Sequence, residues 1–493
     1  MAKTYYPTIG LEIHAELKTR TKMFCNSPNN PEEKRPNANV CAVCMGHPGT
    51  LPVVNKEAVK HVLKVGLAVG GELADYSEFD RKNYFYPDIP KGYQISQYAH
   101  PLVTGGILDG VRLTRVHLEE DTAKSFHLDE EGGPLPHESA FGPRSSASLI
   151  DFNRAGVPLM ELVTEPVITD AAQAVHFAKE LQLLLRYLSV ADADMEKGQM
   201  RVEANISVST DKEKFGKKVE VKNLNSFRAV ERAIAFELSR QEKLIEEGGE
   251  VVQETRGWDE DTGETFSQRR KEESHDYRYF PDPDIPKLKL REIKEFAPAN
   301  LQKEIPELPW KRRARLPSEY GIKKEDAELF VNEPAIGVYF EEVARGLKGD
   351  KSAVKLASNY ITSDLIGLVK GDGTGEMSSS AIRIKSADLV ELIGMISKNE
   401  ISSRGAKDIL KIMFEKGGTA RAIAEEKGLF QESDSGALTA VVQKVLTDNP
   451  QAVSEYQAGK TAALQFLVGQ CMKATKGSGN PAILKELLAK EIG

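Results

Sequence analysis

Apolar and polar residues alternate strictly from Thr8 to Leu17, near the start of the chain. This period of two predicts a β-strand with one face in a core and one polar face that carries Glu12, His14 and Glu16. Side chains two positions apart on a strand point the same way, roughly 7 Å apart, so Glu12 and His14 can converge on one metal ion. A polar face that only meets water is the competing interpretation of this segment.

The pattern changes character near residue 297. Before this point, short alternating segments such as Arg201–Val208 are mixed with helical periods, and Asn225 or Ser226 can cap a long amphipathic helix. This mixture predicts an α+β fold. After it the spacing is helical, apart from the glycine-rich stretch 371–375, which is typical of a linker or an exposed loop.

A second joint is predicted at Ile401–Gly405, because Ser402 and Ser403 can cap a helix that begins near Arg404. The length of the chain leaves room for about three domains. We therefore predict domains at residues 1–296, 297–405 and 406–493.

The composition is that of an ordinary soluble protein: 28% of the residues are charged, 40% are hydrophobic and the net charge is -8. An acidic chain can bind RNA only through a local basic face, so the charge argues against non-specific wrapping of a nucleic acid backbone. No apolar run comes near the roughly 18 residues that span a membrane, and the N-terminus lacks the pattern of a signal peptide. We therefore expect a cytoplasmic protein that does not enter a membrane.

Acidic residues recur on other predicted strands. Glu119 and Glu120 are neighbours, so on a strand they face opposite sides and at most one of them joins the first site, unless the strand ends there. Glu161 lies in an otherwise apolar run, where burial is costly without a cation. Several acidic strands in one domain suggest a sheet whose polar side lines a cavity able to hold Mg²⁺, and Arg154 and Lys222 can meet the phosphates that such ions accompany. The further acidic strand positions are Glu203 and Glu220.

The cysteines indicate a second, separate site. Cys41 and Cys44 have the spacing of half a zinc site, and Cys25 can supply a third sulfur. His47 is the obvious fourth ligand. Buried free thiols are the alternative, and Cys471, alone among the C-terminal helices, is expected to be a core residue.

Two loops resemble each other: residues 83–90 and 277–286 both place aromatic residues before Pro-Asp turns. Such rings can stack on a base or on a terminal adenosine, and the first loop follows Arg81 and Lys82, which we expect to bind the nucleotide. Rings at a core edge, with the Pro-Asp pairs only ending strands, are an equally open interpretation. The chain offers no obvious covalent nucleophile.

Five motifs carry a family resemblance, together with a C-terminal stretch from Gly459 to Gly477 that is followed by Asn480-Pro481. The motifs are Ile9–His14 (IGLEIH), Phe79–Asp88 (FDRKNYFYPD), His117–Asp121 (HLEED), Asp151–Leu159 (DFNRAGVPL) and Val221–Ser226 (VKNLNS). Over essentially its whole length the chain resembles the GatB family, the B subunits of aspartyl/glutamyl-tRNA amidotransferases. The resemblance implies a cradle domain related to the glutamine synthetase fold, an all-α linker domain and an all-α YqeY-like tail domain that grips tRNA. It also implies two partners in a heterotrimer, the glutaminase A subunit and the small C subunit.

The same resemblance implies a reaction. Glutamate mischarged on glutamine tRNA, or aspartate mischarged on asparagine tRNA, becomes the amide after ATP phosphorylates its side-chain carboxylate, and the ammonia comes from glutamine hydrolysed by the glutaminase partner. The acyl phosphate supplies a good leaving group, and Mg²⁺ offsets charge as the anionic groups approach. Glu119 is a neighbour of uncertain role, and the implied metal ligands and catalytic residues are Glu12, His14, Glu120 and Glu161. Such an enzyme is a ligase that forms carbon–nitrogen bonds with glutamine as amido donor, and the choice between the two tRNAs stays open.

One departure concerns the zinc site. Many bacterial members resemble Cys-x-Cys followed by Cys-x-x-Cys, whereas this chain has Ser27 in the second position. The site is therefore completed by His47, weakened or lost. Because some members lack these cysteines, the resemblance implies that the zinc site has a structural role and not a catalytic one.

The tail carries the expected tRNA contacts, Lys460, Lys473 and Lys476, close to the Gly477-Ser478-Gly479 turn. The competing function is a non-catalytic protein that only presents charged tRNA to a catalytic partner. In that case the acidic strands are a solvated face.

Overall fold

The computed structural model describes residues 4–128, 134–135, 147–270, 277–371, 381–431, 435–475 and 479–493. The chain forms two compact units that divide between Leu308 and Pro309. Three predicted features lie outside the described residues: the glycine-rich stretch beyond Gly371, Lys476, and the first two residues of the Gly477-Ser478-Gly479 turn.

The first unit contains all the described strands, and its described part also includes four α-helices and three short 3-10 helices at Leu290–Glu292, Lys294–Phe296 and Gln302–Glu304. The strands are β1 (Tyr6–Glu16), β2 (Glu72–Leu73), β3 (Tyr76–Ser77), β4 (Asp80–Asn83), β5 (Tyr93–Ser96), β6 (Val103–Thr104), β7 (Ile107–Leu108), β8 (Val111–Glu120), β9 (Lys124–Leu128), β10 (Pro134–Leu135), β11 (Ala147–Asp151), β12 (Pro158–Thr164), β13 (Met200–Ser209), β14 (Val219–Leu224), β15 (Glu254–Asp259), β16 (Glu264–Arg270), β17 (Phe280–Pro281) and β18 (Leu288–Lys289). The helices are α1 (Lys56–Ala68), α2 (Ala171–Tyr187), α3 (Phe227–Glu246) and α4 (Pro298–Leu301).

The second unit is helical throughout its described part. Its helices are α5 (Pro309–Tyr320), α6 (Lys324–Asn332), α7 (Pro334–Gly346), α8 (Lys351–Asn359), α9 (Ile366–Gly371), α10 (Ser386–Ser397), α11 (Ser403–Lys416), α12 (Ala420–Lys427), α13 (Ser435–Asp448), α14 (Pro450–Gln457), α15 (Thr461–Ala474) and α16 (Pro481–Ile492), with a π-helical turn at Tyr360–Leu365 between α8 and α9. A sheet-bearing N-terminal part followed by helices confirms the predicted fold class. No helix among the described residues is long and apolar enough to span a lipid bilayer.

The main sheet has the strand order β16-β15-β14-β13-β1-β12-β8-β6-β2, with β7 also paired to β8. β1 runs antiparallel to both of its neighbours, β12 and β13. The predicted alternation is confirmed, because Ile9, Leu11 and Ile13 are fully buried. Helices α2 and α3 pack against β1, β13 and β14, and the polar side of the same strands lines a cavity.

Two predicted helix starts are confirmed by their capping hydrogen bonds. The hydroxyl of Ser226 accepts from the backbone N–H of Ala229 at the start of α3, and that of Ser402 accepts from Gly405 at the start of α11. Each bond satisfies one of the backbone donors that a helix leaves unpaired at its N-terminus.

The first unit ends later than the predicted boundary at residue 296. Helix α4 packs against α1, and Lys60 Nζ lies 2.6 Å from Glu304 Oε1, so the segment after residue 296 belongs to the first unit. In the second unit, α13, α15 and α16 share a hydrophobic cluster that includes Leu438, Leu467 and Leu484. The predicted division at residue 405 stays a prediction, since α10 packs against both α11 and α12.

Candidate functional site

β1 supplies the two side chains around which the polar face is organised, Glu12 and His14. The antiparallel register places His14 opposite Glu161 on β12 and Glu12 opposite Glu203 on β13. Glu161 in turn lies opposite His117 on β8. Because directly opposite residues on antiparallel strands have Cβ atoms about 4.5–5.5 Å apart, the register gathers carboxylates and imidazoles into adjacent rows.

The His14 group consists of His14, Glu119 and Glu161. His14 Nε2 lies 3.4 Å from Glu119 Oε1 and 3.4 Å from Glu161 Oε2, and the ligand atoms of all three residues lie within 4.8 Å of one another. Burial by itself lowers the pKa of His14, but its hydrogen bonds to Glu119 and Glu161 raise it to about 10. The group therefore favours positive charge between its carboxylates, which is the environment that a divalent cation requires.

The Glu12 group consists of Glu12, Glu203 and Glu220, whose carboxylate oxygens also lie within 4.8 Å of one another. Burial raises the pKa of Glu12, and the neighbouring carboxylates raise it further. Lys222 Nζ lies 2.8 Å from Glu203 Oε2 and 3.9 Å from Glu220 Oε1. Although burial raises the pKa of Glu203, Lys222 lowers it to about 2. One ammonium thus faces three carboxylates, so this group can also accept a divalent cation.

Both groups line one cavity of about 400 Å³. Burial alone lowers the pKa of Lys82 in its wall, but Glu119 and the nearby tyrosines hold that pKa above its ordinary value. Acidic groups for a cation, basic groups for phosphates and flat rings for a base together suit a nucleotide bound with its metal ion. The basic residues of the wall are Lys82, Arg115, Arg201 and Lys222, and the tyrosines are Tyr84, Tyr98, Tyr277 and Tyr279.

The two similar aromatic loops meet at one rim of this cavity. β4, which leads into the first loop, pairs with β17 in the second. The rings of Tyr98 and Tyr279 stack with centroids 4.4 Å apart, and those of Tyr84 and Tyr277 meet edge to face at 5.9 Å. Tyr84 and Tyr277 therefore belong both to the contact between the loops and to the cavity wall, whereas Tyr98 follows β5 and lies outside the first loop.

Of the two cations predicted to bind the nucleotide, Lys82 lines the cavity and Arg81 does not. Arg81 Nε lies 2.8 Å from Asp282 Oδ2 and Arg81 Nη2 lies 2.9 Å from Asp284 Oδ2. Its guanidinium also lies over the ring of Tyr93, 4.3 Å from the centroid. Because neighbouring residues of a strand point to opposite sides, only one of the pair can face the cavity. Arg81 instead joins β4 to the second loop.

The structure corrects the assignment of Glu120 as a metal ligand. Its carboxylate contacts Lys91 Nζ and accepts a hydrogen bond of 2.9 Å from the backbone N–H of Ile95, on the side of β8 away from the His14 group. Glu119, whose role stayed uncertain, takes the place beside His14. The reason is the alternation of β8, which sends the two neighbouring side chains to opposite faces.

Arg154 lies at the end of β8 and not in the cavity wall. Its guanidinium donates to the carbonyl oxygens of Thr122 and Ala123, both at 3.0 Å, and Nε lies 3.5 Å from Asp121 Oδ2. Arg201 Nη2 lies 2.9 Å from the same Asp121 oxygen and does line the cavity. Arg154 therefore holds the turn after β8, while Arg201 places a guanidinium at the site.

The three clustered cysteines come together as predicted. The sulfur atoms of Cys25, Cys41 and Cys44 lie within 4.8 Å of one another, with Cys41 and Cys44 3.8 Å apart. Tetrahedral zinc with Zn–S bonds of about 2.3 Å holds its sulfurs at roughly this spacing. A hydrogen bond from Cys25 is the main cause that lowers the pKa of Cys44 to about 4, and zinc binds the thiolate form.

The role of His47 as the fourth ligand stays a prediction. Its ring nitrogens lie outside the group of ligand atoms within 4.8 Å of one another, but its side chain lines a cavity of about 180 Å³ that Cys25 and Cys44 also line. Gly46, with φ of 68°, turns the chain between Cys44 and His47. Ser27 Oγ lies 4.0 Å from the Cys44 sulfur and Lys22 Nζ lies 3.8 Å from it. The donor set thus fits zinc with three sulfurs and a hydroxyl beside them.

The predicted tRNA contacts of the tail lie at the ends of one helix. Lys460 precedes α15, with its Nζ 3.7 Å from Glu455 Oε2, and Lys473 lies in the last turn of α15.

Comparison with known proteins connects these sites to a family. The family model for the GatB/GatE catalytic domain matches residues 7–294, and a GatB domain model matches residues 338–492. The chain belongs to the GatB family of aspartyl/glutamyl-tRNA amidotransferase B subunits. The B subunit of the aspartyl/glutamyl-tRNA(Asn/Gln) amidotransferase of Persephonella marina is 42% identical over 98% of each chain. That of Thermomicrobium roseum is 44% identical over 98% of each chain, and that of Myxococcus xanthus is 43% identical over 99% of each.

The catalytic-domain match covers both metal-binding candidates of this GatB family member, the His14 group and the Glu12 group. From the sequence, Glu203 and Glu220 were placed on acidic strands that line a cavity but were not named as ligands of one group, and no role was given to His117 or Arg201. Alternation in the sequence revealed the acidic faces of β13 and β14. It could not reveal the strand register that places these faces beside β1. All four residues line the cavity, and Glu203 and Glu220 complete the Glu12 group.

Proposed function

We propose that this chain carries the ATP-dependent step of tRNA-dependent amidotransfer. In that reaction, glutamate on glutamine tRNA, aspartate on asparagine tRNA, or both are converted to the amide through an acyl phosphate. The observation that carries the proposal is the shared cavity of the His14 and Glu12 groups, with Lys82, Arg201 and Lys222 in its wall. The relatives named above are amidotransferase B subunits.

The donor chemistry of the two groups fits Mg²⁺, which prefers carboxylate oxygens and accepts an imidazole. His14, Glu119 and Glu161 would hold one ion and Glu12, Glu203 and Glu220 a second. Bound there, Mg²⁺ offsets the negative charge of the phosphates and of the side-chain carboxylate as they approach each other.

The chemistry needs two displacements. An oxygen of the mischarged side chain forms a bond to the γ-phosphorus of ATP while the bond to the bridging oxygen of ADP breaks. Ammonia then bonds to the carbonyl carbon, phosphate leaves with the former carboxylate oxygen, and a proton is lost to give the amide. Lys82, Arg201 and Lys222 hold the anionic groups, and the stacked Tyr98 and Tyr279 offer a flat surface for a base.

Burial favours this function over that of a protein that only presents tRNA. A solvated acidic face predicts exposed carboxylates, whereas Glu119 is 3% exposed and Glu161 is 7% exposed. Carboxylates buried together are costly unless a cation compensates them.

The proposed partners follow from the family. The glutaminase A subunit supplies ammonia, the small C subunit completes the heterotrimer, and the helices from α11 onward bind tRNA through lysines such as Lys460 and Lys473. The proposed role of Cys25, Cys41 and Cys44 is structural zinc binding, because the cluster is separate from the carboxylate groups.

The test is an assay of the complex assembled from this chain and its two partners on both mischarged tRNAs, with ATP and glutamine. With hydroxylamine in place of an ammonia source, a side-chain acyl phosphate is trapped as the hydroxamate on the tRNA. We expect hydroxamate and ADP to form together, only with mischarged tRNA, and to be lost in the Glu12→Gln variant. Unchanged hydroxamate formation in that variant would assign the chemistry to one of the partners.

A further inference from the structure

His117 lines the cavity but belongs to neither the His14 group nor the Glu12 group. It is 2% exposed, and its Nε2 lies 3.2 Å from Glu161 Oε2. This is the same carboxylate oxygen that lies 3.4 Å from His14 Nε2. Glu161 is thus held between one imidazole of the His14 group and a second imidazole that is not in that group.

Arg115 fixes which nitrogen of His117 carries the proton. Arg115 Nε donates to His117 Nδ1 at 3.4 Å. A guanidinium can only donate, so Nδ1 must accept. The ring proton then sits on Nε2 and is donated to Glu161, which gives the chain of contacts Arg115, His117, Glu161.

The strands make this arrangement rigid. His117 is the cross-strand partner of Glu161 in the β8–β12 pair, so the two side chains rise from directly opposite positions. The neighbouring Leu118 N–H donates to Gln97 Oε1 at 2.9 Å, which ties β8 to the segment after β5. Glu161 consequently has little freedom to turn away from His14.

We propose that His117 is a positioning residue for the metal site: it donates to Glu161 and holds the carboxylate in the orientation that binds the cation. Arg115 sets the tautomer that makes this donation possible. The inference rests on the proposed function, because it assumes that Glu161 binds a metal ion. Hydrogen bonds to metal-binding carboxylates commonly change metal affinity by about 10–100-fold.

The experiment measures Mn²⁺ binding directly, by the electron paramagnetic resonance signal of free Mn²⁺, on the complex assembled from the full-length chain and its partners. His117→Met removes the hydrogen-bond donor and replaces the imidazole with an apolar side chain of similar length. We expect its Mn²⁺ dissociation constant to rise by about 10–100-fold. His117→Gln keeps an N–H donor near the position of Nε2 and should restore most of the affinity, which a purely structural role would not explain.

A matched control and a kinetic measurement accompany these variants. His61→Leu replaces another buried histidine, on α1 and outside the cavity lining, and should leave Mn²⁺ binding unchanged. In the amidotransfer assay His117→Met should raise the Mg²⁺ concentration needed for half-maximal rate more than it lowers the rate at saturating Mg²⁺. A lower saturating rate with an unchanged Mg²⁺ requirement would overturn the inference.

The remaining outcomes separate this inference from the proposed function. If Glu161→Gln weakens Mn²⁺ binding but a folded His117→Met protein binds it like the parent, the positioning role is wrong and the metal site stands. If His117→Met does not fold, the Arg115→Met variant provides the test, because it leaves the buried His117 ring in place and removes the hydrogen bond to Nδ1. If Arg115→Met binds Mn²⁺ with the affinity of the parent, the inference is overturned. If His14→Ala and Glu161→Gln both bind Mn²⁺ normally, the proposed metal site itself fails.

Discussion

His14 on β1 and Glu161 on β12 are direct cross-strand partners, and His14 Nε2 lies 3.4 Å from Glu161 Oε2. This pairing joins two sequence motifs that lie far apart along the chain. It depends on antiparallel hydrogen bonding of β1 and β12, which brings an imidazole from one strand and a carboxylate from the next to one point of the polar face.

The first prediction concerns catalysis. His14→Ala and Glu12→Gln should each reduce ATP-dependent amidotransfer by more than about 100-fold, because each removes a ligand from its own metal-binding group. The glutaminase partner should stay bound and active. ADP formation with mischarged tRNA is the measurement. Glu16→Gln, the next carboxylate on the same strand face but outside both groups, is the matched control. Near-normal turnover of His14→Ala or Glu12→Gln at physiological Mg²⁺ would contradict the prediction.

The second prediction concerns the thiol cluster. Protein purified in metal-free buffer under reducing conditions should contain about one zinc per chain, as measured by elemental analysis. Replacing Cys41 and Cys44 by Ser should remove the zinc and lower the melting temperature before it lowers activity, because structural zinc contributes directly to folding. Cys471→Ala, at a buried thiol of the tail, should keep the zinc content. Fully reduced protein without zinc would refute the metal assignment.

The third prediction concerns the tail. Truncation after Gln431 removes α13 to α16 with their shared hydrophobic cluster and leaves the packing of α10 on α11 and α12 intact. The Michaelis constant for charged tRNA should rise strongly, and glutamine hydrolysis that does not require tRNA should be spared. The salt dependence of tRNA affinity should flatten by slightly less than about one logarithmic unit per lost phosphate contact. If the truncated protein binds charged tRNA with unchanged affinity and an unchanged salt slope, these helices serve folding or assembly and not tRNA binding.

The fourth prediction concerns pH. Burial lowers the pKa of His61 from its ordinary value of 6.5 to about 4. As the pH falls below 6.5, the unfolded chain gains a proton that the folded chain does not, so the unfolding free energy falls until about pH 4. The total loss is about 3 kcal/mol. His61→Leu should remove this part of the acid sensitivity, as measured by urea unfolding at about pH 7 and pH 4.5. The same pH dependence in parent and variant would show that His61 does not contribute it.

The fifth prediction concerns Arg81. Its partner Asp282 has a fully buried side chain, and the Oδ1 atom of Asp282 also accepts hydrogen bonds from the backbone N–H groups of Asp284 and Ile285. Arg81→Met should leave this buried carboxylate without its cation and destabilise the protein by about 3–5 kcal/mol. Arg81→Met combined with Asp282→Leu should recover part of this loss, as measured by urea unfolding. ATP affinity should change less than in Lys82→Met, because only Lys82 lines the cavity. A strong loss of ATP affinity in a stable Arg81→Met protein would restore its predicted role at the nucleotide.

The sequence by itself determined what depends on neighbouring positions along the chain. The alternation of β1, the caps of α3 and α11, and the change to helices after residue 297 all follow from local periodicity and local hydrogen bonding. The rule that Glu119 and Glu120 face opposite sides also follows from the strand alone. These features need no knowledge of distant contacts.

Only the tertiary structure decided which of those faces meet. Strand register is set by hydrogen bonds between segments far apart in sequence, and it placed Glu119 beside His14, Glu203 opposite Glu12, and His117 behind Glu161. Likewise, β4 presents Lys82 to the cavity, while Arg81 pairs with aspartates about 200 positions later in the chain. A one-residue change of register would send every one of these side chains to the other face, which is why composition and spacing indicated a metal site but could not name its complete set of ligands.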